Sequence, residues 1–338
     1  MKKQLFTALM IGTCLVAQAQ TKWYDNMKLS GYGMVQYQAQ DKEDAEQNSF
    51  NLRIARLALE GRPHQDFYYK AQMQISGTTK DDATAIRLVD LFGEWQKHEF
   101  FKVKAGQFKR PFTFENPMHP ITQGFMGYSQ NVSKLAGFSD RTGEHASNGR
   151  DIGVQVQGDF LKDASGRNWM HYQVGVFNGE GINQKDKDNR KDIIGGLWVM
   201  PLEGLRIGAF GWKGTRAGIG EKNRYALSAE YAKDDWTLRT EYIHSQGMAA
   251  DATLGDKADG YYALCIAPIQ KNKLHVKARY DLYRQSKEWG SSKTFYEVGA
   301  DYLFTKNLQL NLEYARVNDR TAAKHNYNLV DVELDFRF

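Results

Sequence analysis

The feature of this sequence that most constrains its fold is an alternation of apolar and polar side chains with a period of two. Between Phe67 and Ile75 every second residue is apolar, and the residues between them are mainly polar. The same alternation recurs at 274–282 and at 308–314. Because successive side chains of a β-strand point to opposite faces of its sheet, this pattern predicts an all-β chain.

Repeated segments of this kind predict about sixteen strands. We place them at residues 27–40, 50–60, 66–76, 86–97, 100–108, 150–160, 168–178, 192–200, 204–213, 223–232, 236–246, 259–268, 274–284, 293–304, 308–317 and 327–338. Short turns such as 233–235 alternate with long polar loops such as 179–191. This alternation is typical of antiparallel transmembrane β-barrels of the bacterial outer membrane, whose turns are periplasmic and whose loops are external. A closed barrel pairs every backbone group without an edge.

The first residues have the pattern of an export signal. Met1-Lys2-Lys3 precedes an apolar run from Leu5 to Val16, and Ala17-Gln18-Ala19 is a typical cleavage site. We therefore expect residues 1–19 to be a signal peptide that directs export through the periplasm. Cys14, within the same segment, leaves cleavage as a lipoprotein open as an alternative.

The remaining residues, 20–338, are predicted to form a single transmembrane barrel domain. Its last strand alternates from Val330 to the terminal Phe338. This ending resembles the C-terminal signal through which the barrel-assembly machinery recognises outer-membrane proteins. Aromatic residues near strand ends are expected to form girdles at the membrane interfaces. They are Trp23, Trp95, Trp236, Tyr302, Phe304 and Tyr327.

Composition excludes several other classes of function. The formal net charge is +5, without the clustered basic patches that nucleic acid requires. Cys265 is the one cysteine after the leader, so no intramolecular disulfide is expected. The eight histidines lack metal-ligand spacing, and no phosphate-binding glycine loop is present. We therefore predict neither a metal nor a cofactor.

The predicted strand number itself points to transport. A barrel of eight strands is filled by its own side chains, whereas sixteen strands enclose an aqueous lumen. Residues 110–149 form the third external connection, which is far longer than an ordinary loop. We expect a water-filled channel for the passive diffusion of small hydrophilic solutes, including ions.

Three motifs give a more specific resemblance. They are GQFKRPFTFEN at 106–116, RDIGVQVQG at 150–158 and VGVFNGEGIN at 174–183. Together they resemble the phosphate-selective porin O and P family. The resemblance implies a homotrimer in the outer membrane, in contact with its lipid and lipopolysaccharide, and a third loop at 110–149 that folds inward as a constriction loop.

The same resemblance implies that basic side chains lining the channel select anions such as phosphate. The candidate pore-lining residues are Arg56, Lys70, Lys102, Lys104, Arg239, Lys277 and Arg279, with Lys109, Arg110, Lys134 and Arg141 on the constriction loop. Carboxylates such as Asp90, Glu241 and Glu297 are also predicted to lie on the inward faces of their strands. A general porin with a mixed wall therefore stays open as an alternative.

Two functions of other classes are also open. The run from His145 to Arg150, HASNGR, matches an element of the outer-membrane phospholipase barrels, in which a histidine and a serine two residues apart form a base and nucleophile pair. In this sequence the pair would be His145 and Ser147. Adhesion through the external loops is the other alternative. We predict a channel without enzymatic activity.

Overall fold

A computed structural model of the chain describes residues 26–43, 48–76, 86–144 and 148–338. The predicted signal peptide, Trp23, His145 and Ser147 lie outside these ranges. No helix among the described residues is long and apolar enough to cross a membrane.

Sixteen antiparallel strands form a closed barrel, in which each strand pairs with its neighbours in sequence and the last pairs with the first. They are β1 Lys28–Gln40, β2 Asn48–His64, β3 Phe67–Ser76, β4 Arg87–His98, β5 Phe101–Lys109, β6 Arg150–Lys162, β7 Asn168–Phe177, β8 Asp192–Val199, β9 Leu205–Arg216, β10 Gly220–Lys233, β11 Trp236–Gln246, β12 Lys257–Gln270, β13 Leu274–Arg284, β14 Ser292–Thr305, β15 Leu308–Asp319 and β16 Asn326–Arg337. The predicted fold class and strand number are confirmed.

The two ends of the chain close the barrel. Tyr32 of β1 lies opposite Arg337 of β16, and the register continues to Gln40 opposite Leu329. The backbone of Phe338 extends the ladder, because its amide donates to the carbonyl of Gly31 at 3.0 Å. Closure leaves no unpaired strand edge, which is the condition for a β-sheet to cross lipid.

The connections differ between the two ends of the barrel, as predicted. One end has tight turns such as Asp234-Asp235, where both residues have positive φ, at 52° and 65°. A two-residue hairpin turn needs these values to match the twist of the strands. The other end has the long connections, including 178–191 and 247–256, although β9 and β10 are joined there by residues 217–219 alone.

The outer wall is apolar, with aromatic side chains near both ends. Trp236 and Phe304 are 45% and 54% exposed at the end with tight turns, where an interfacial girdle is expected. The prediction for Tyr327 is wrong: its ring is 4% exposed and packs inside the barrel with Val317. Alternation places Tyr327 on the inner face, because its neighbour Asn326 faces outward.

A second row of aromatic residues was not predicted from the sequence. Adjacent tyrosine rings cross the outer face toward the end with long loops, with ring centroids 6.1 Å apart or less within the consecutive pairs 225–242, 261–280 and 280–296. This row fits the second interface of an outer-membrane barrel. The tyrosines come from different strands, so only the barrel register brings them together.

Candidate functional site

The third external loop folds into the barrel and packs against its inner wall. Phe112 and Phe114 of this loop, at 110–149, are wholly buried. The Phe112 ring centroid lies 5.4 Å from that of Trp212, and the Phe114 centroid lies 5.4 Å from that of Phe210. The predicted inward fold of this loop is confirmed. Its one α-helix, α1, covers Gln130–Leu135.

Carboxylates of the wall accept hydrogen bonds from backbone amides of the loop. Glu241 accepts from Phe114 at 2.7 Å and Glu115 at 2.9 Å, Glu313 accepts from Met126 at 2.9 Å, and Asp281 accepts from Gln130 at 2.8 Å. Buried charges of this kind are stable only when hydrogen-bonded or paired. These acidic residues are therefore anchors of the loop.

Three predicted pore-lining cations contact the loop in the complementary way. Each donates to a loop carbonyl at 2.9 Å: Arg239 to Gln123, Lys277 to Gly124 and Arg279 to Gly127. Each also forms an ion pair with a wall carboxylate, with Glu230 at 2.6 Å, Glu313 at 2.6 Å and Glu297 at 2.5 Å respectively. Their charges are thus compensated beneath the loop.

The two ends of the loop are held by a second set of ion pairs. Arg110 is wholly buried between Glu144 at 2.7 Å and Asp151 at 2.9 Å. Arg224 of β10 pairs with Asp140 at 2.6 Å. Burial opposes ionisation of Asp140, but the charge and hydrogen bonds of Arg224 hold its pKa below the usual range.

Two further predicted loop cations, Arg141 and Lys134, lie elsewhere. Arg141 donates to the carbonyls of Gly247, Gly255 and Gln285, so it ties the constriction loop to neighbouring external loops. Lys134 is exposed on α1. Partial burial lowers the pKa of Lys134, and the nearby charge of Lys293 lowers it further.

Open space remains on the opposite side of the lumen, beside strands β1 to β5. A cavity of about 310 Å³ lies between these strands and residues 117–120 of the loop. A second cavity, of about 420 Å³, extends from it to the tight turn at Lys306. The two cavities share the lining residues Tyr32, Lys70, Gln72 and His119. We call these two adjoining cavities together the side passage.

The side passage contains three of the predicted pore-lining residues, Arg56, Lys70 and Lys104. Lys109, which was predicted on the constriction loop, is the last residue of β5 and also lines the passage, as does Arg150. Arg150 is neutralised by Asp90, with 2.6 Å between Nε and Oδ1, and Lys104 lies 3.8 Å from Glu94. Lys102 pairs with Asp159 at 3.3 Å and does not line either cavity.

Arg56, Lys70 and Lys109 have no carboxylate within ion-pair distance in the described part of the chain. Arg56 donates to the hydroxyl of Tyr32 at 2.9 Å and to the side-chain oxygen of Gln74. Lys109 donates to the carbonyl of Asn116 at 2.6 Å. These neutral partners orient the cations without cancelling their charge.

His119 of the loop lies close to several cationic side chains of this region. Burial, together with the nearby charges of Arg337 and Arg56, lowers the pKa of His119 to about 3. The imidazole is therefore neutral at physiological pH. The fixed charge of the side passage comes from its arginines and lysines.

Comparisons with known proteins identify the family. A family model described as Gram-negative porin matches residues 6–322. The chain belongs to the Gram-negative porin family. The porins are channels of the outer membrane, which agrees with the closed barrel and the side passage described above. Among curated proteins, none matches this porin.

Solved structures of other proteins share the fold of this chain. OmpF of Salmonella typhi in complex with daunomycin is 13% identical, with a TM-score of 0.69 over 93% of this chain and 98% of that chain. DcaP of Acinetobacter baumannii is 12% identical, with a TM-score of 0.63 over 92% and 97%. The trimer form of OmpT of Vibrio cholerae is 12% identical, with a TM-score of 0.58 over 93% and 100%.

Several buried or half-buried basic residues of this porin are absent from the predicted set, among them Arg53, Arg150, Lys222 and Arg224. Arg53 pairs with Glu333 at 2.9 Å inside the barrel, although it lies three residues from the inward-facing Arg56. Met34 lies opposite Ile54 and Val35 lies opposite Leu52, so Arg53 is the extra residue of a β-bulge in β2, which lets both arginines point inward. Arg150 was set aside within the HASNGR run, and its inward direction depends on the loop that precedes it.

No group of three or more histidine, cysteine, aspartate or glutamate side chains that could hold a metal ion occurs in the described ranges.

Proposed function

We propose that this outer-membrane porin conducts small hydrophilic solutes through the side passage and prefers anions. The observation that carries this proposal is the group of three uncompensated cations, Arg56, Lys70 and Lys109. In a narrow lumen with low-dielectric walls, fixed positive charge raises the local concentration of anions and lowers that of cations. The paired residues elsewhere on the wall add little net charge.

We assign different roles to the other basic residues of the lumen. Arg239, Lys277 and Arg279 hold the constriction loop against the wall, and Arg110 and Arg141 hold its ends. Carboxylates cancel the charges of Arg239, Lys277, Arg279 and Arg110. Arg141 does not line the side passage. The finer assignment to the phosphate-selective porins stays a prediction, and phosphate is the anion to compare with chloride.

The proposal is tested in planar lipid bilayers. Purified porin is inserted between solutions of unequal KCl concentration, and the zero-current potential is measured. We expect an anion-signed potential that falls toward zero when Arg56, Lys70 and Lys109 are all changed to Gln. A matched triple variant, Lys162→Gln, Lys233→Gln and Lys271→Gln, alters turn-end cations at the strand ends and should behave as the wild type. A cation-signed wild-type potential would refute the preference.

We also propose that the porin is a homotrimer whose assembly begins with recognition of Phe338. The trimer form of its structural relative from Vibrio cholerae supports the first part. The terminal position and 65% exposure of Phe338 support the second. Crosslinking in native membranes should give a trimer band, and deletion of Phe338 should reduce the amount of folded porin. A monomer alone would contradict the trimer.

Catalysis by His145 and Ser147 is not part of this proposal. The porins are a family of channels, and both residues lie outside the described ranges. Hydrolysis of detergent-dispersed phospholipid that disappears in Ser147→Ala would establish the alternative. Conductance that survives deletion of external loop residues would separate transport from adhesion.

A further inference from the structure

Three aromatic side chains form a strip on the strand side of the side passage. Tyr68 of β3, Phe92 of β4 and Phe108 of β5 all line its cavity of about 310 Å³. The ring centroid of Phe92 lies 6.0 Å from that of Tyr68 and 5.9 Å from that of Phe108, which is the range of direct aromatic contact. We call these three rings the aromatic strip.

Two lysines flank the central ring of the strip. Lys70 lies directly opposite Phe92 in the register of β3 and β4, and both side chains line the same cavity. The ammonium of Lys104 lies 5.0 Å from the centroid of Phe92 and 5.4 Å from that of Phe108. Apolar surface and positive charge are therefore adjacent on one wall of the passage.

Among the three uncompensated cations, Lys70 is the one most open to a solute. Lys109 donates to the carbonyls of Asn116 and Met118 and to the hydroxyl of Tyr128, so its three N–H donors are in use. Arg56 donates to the side chains of Tyr32 and Gln74. Within the described ranges, no hydrogen bond or ion pair of this kind holds the ammonium of Lys70.

The loop side of the cavity adds no charge. It is formed by Pro117, Met118, His119 and Pro120. Proline has no backbone N–H, so two of these four residues offer a solute no amide donor. His119 is neutral at physiological pH, since its pKa is about 3. A solute in this cavity thus has the aromatic strip and Lys70 on one side and a largely apolar edge of the loop on the other.

We propose that the side passage selects carboxylates that carry an aromatic ring. The carboxylate pairs with the ammonium of Lys70, and the ring packs against Phe92. Residues directly opposite on neighbouring strands have Cβ atoms about 4.5–5.5 Å apart, so one small molecule reaches both side chains. A cavity of about 310 Å³ is within the size range of small-molecule sites.

The aromatic strip gives such a solute an advantage that inorganic anions lack. Chloride, phosphate and acetate interact with the cations alone, because they have no apolar surface to bury. An aromatic carboxylate adds ring contact and apolar burial to the same charge interaction. This inference rests on the proposed anion passage and names the solute class that the passage favours.

The test compares benzoate with acetate in planar lipid bilayers at pH 7, where both acids are ionised. Chloride is replaced stepwise by either anion at constant potassium concentration, and the concentration that halves the single-channel current is measured. The ratio of the acetate value to the benzoate value isolates the ring from the charge. Phe92→Ala removes the central ring of the strip.

Phe295→Ala is the matched control. The ring of Phe295 also packs inside the barrel, with Val317 and Tyr327, and lies 5.3 Å from the ammonium of Lys293. It lines neither cavity of the side passage. The two variants therefore remove the same kind of ring, each beside a lysine, in different parts of the lumen.

We expect a ratio of about ten in the wild type and in Phe295→Ala, and a ratio near one in Phe92→Ala. Lys70→Gln should raise the half-block concentrations of both anions, because both lose the same charge partner. A wild-type ratio near one, or equal ratios in Phe92→Ala and Phe295→Ala, would overturn the inference. If Phe92→Ala does not refold, Phe92→Leu keeps apolar bulk without the ring and should still lower the ratio.

The zero-current potential in a KCl gradient, measured on the same proteins, separates this inference from the proposed anion preference. An anion-signed potential with a ratio near one would refute the aromatic selectivity alone. A cation-signed potential with a ratio of about ten would refute the anion preference and support the site for aromatic carboxylates.

Discussion

Arg279 of β13 forms an ion pair with Glu297 of β14, with 2.5 Å between Nε and Oε2, and donates to the loop carbonyl of Gly127 at 2.9 Å. One wall residue thus joins two strands and the constriction loop. Because the pair is buried, its two charges depend on each other, and neither is free to attract a solute.

Replacing Arg279 with Met should loosen the constriction loop. We expect larger and noisier single-channel conductance, and a loss of about 3–5 kcal/mol in the free energy of unfolding, because Glu297 is left as an unpaired buried charge. Conductance traces and urea titration followed by gel mobility measure the two effects. Arg279→Lys keeps the charge and should lie between the two. Unchanged conductance noise in Arg279→Met would contradict the anchoring role.

Charge reversal at Lys70 should change ion selectivity. Lys70→Glu places a carboxylate in the side passage, where Lys70 has no ion pair, so the zero-current potential should shift toward the cation sign. Lys271→Glu makes the same change in net charge at an exposed turn and serves as the control. Equal shifts in both variants would mean that overall charge, and not the passage, sets the selectivity.

The selectivity should not depend on titration of His119. Its pKa of about 3 lies well below the usual value for histidine, so the ring stays neutral from pH 8 down to pH 5 and gains charge only in stronger acid. We expect His119→Gln and the wild type to show the same zero-current potential throughout pH 5–8. A rise in anion preference on acidification that the variant lacks would show that His119 is protonated in this range.

Gly106 of β5 should not tolerate a side chain. Its φ is +131°, and a Cβ would lie 2.2 Å from the carbonyl oxygen of Leu91. Gly106→Ala should therefore lower the yield of folded barrel, since both backbone strain and a clash with rigid backbone oppose it. Refolding into detergent, followed by gel mobility, measures this yield. Gly93→Ala, where the added atom has open space, should refold like the wild type.

Trp212 should stabilise the inner wall through its indole as well as its bulk. Its Nε1 donates to Asp192 at 2.8 Å, and the side chain is 2% exposed. Trp212→Phe should lower the free energy of unfolding by about 1–3 kcal/mol, because Asp192 loses a buried donor. Urea titration tests this value, with the outer-face Trp236→Phe as the control. Equal stability of both variants would argue against the hydrogen bond as the cause.

The alternation of side chains determined much of this protein without any tertiary information. Strand periodicity and connection length are local properties, so the sixteen strands and the closed barrel could be predicted from them. The inward fold of the third loop was an expectation from the family resemblance. The inward direction of Lys277 and Arg279 followed from the same period of two. Arg53 escaped it because this residue is the extra residue of a β-bulge in β2.

Only the tertiary structure decided which inward cations face open water. The period-two alternation predicts that the side chains of Arg56 and Arg279 both point inward. Arg56 lines the side passage, whereas Arg279 lies beneath the constriction loop. The difference depends on the path of the loop, which is fixed by contacts between residues more than 100 positions apart, such as Phe114 and Glu241. Gly195 and Gly211 likewise lie opposite each other only because of the barrel register, since no local pattern couples them.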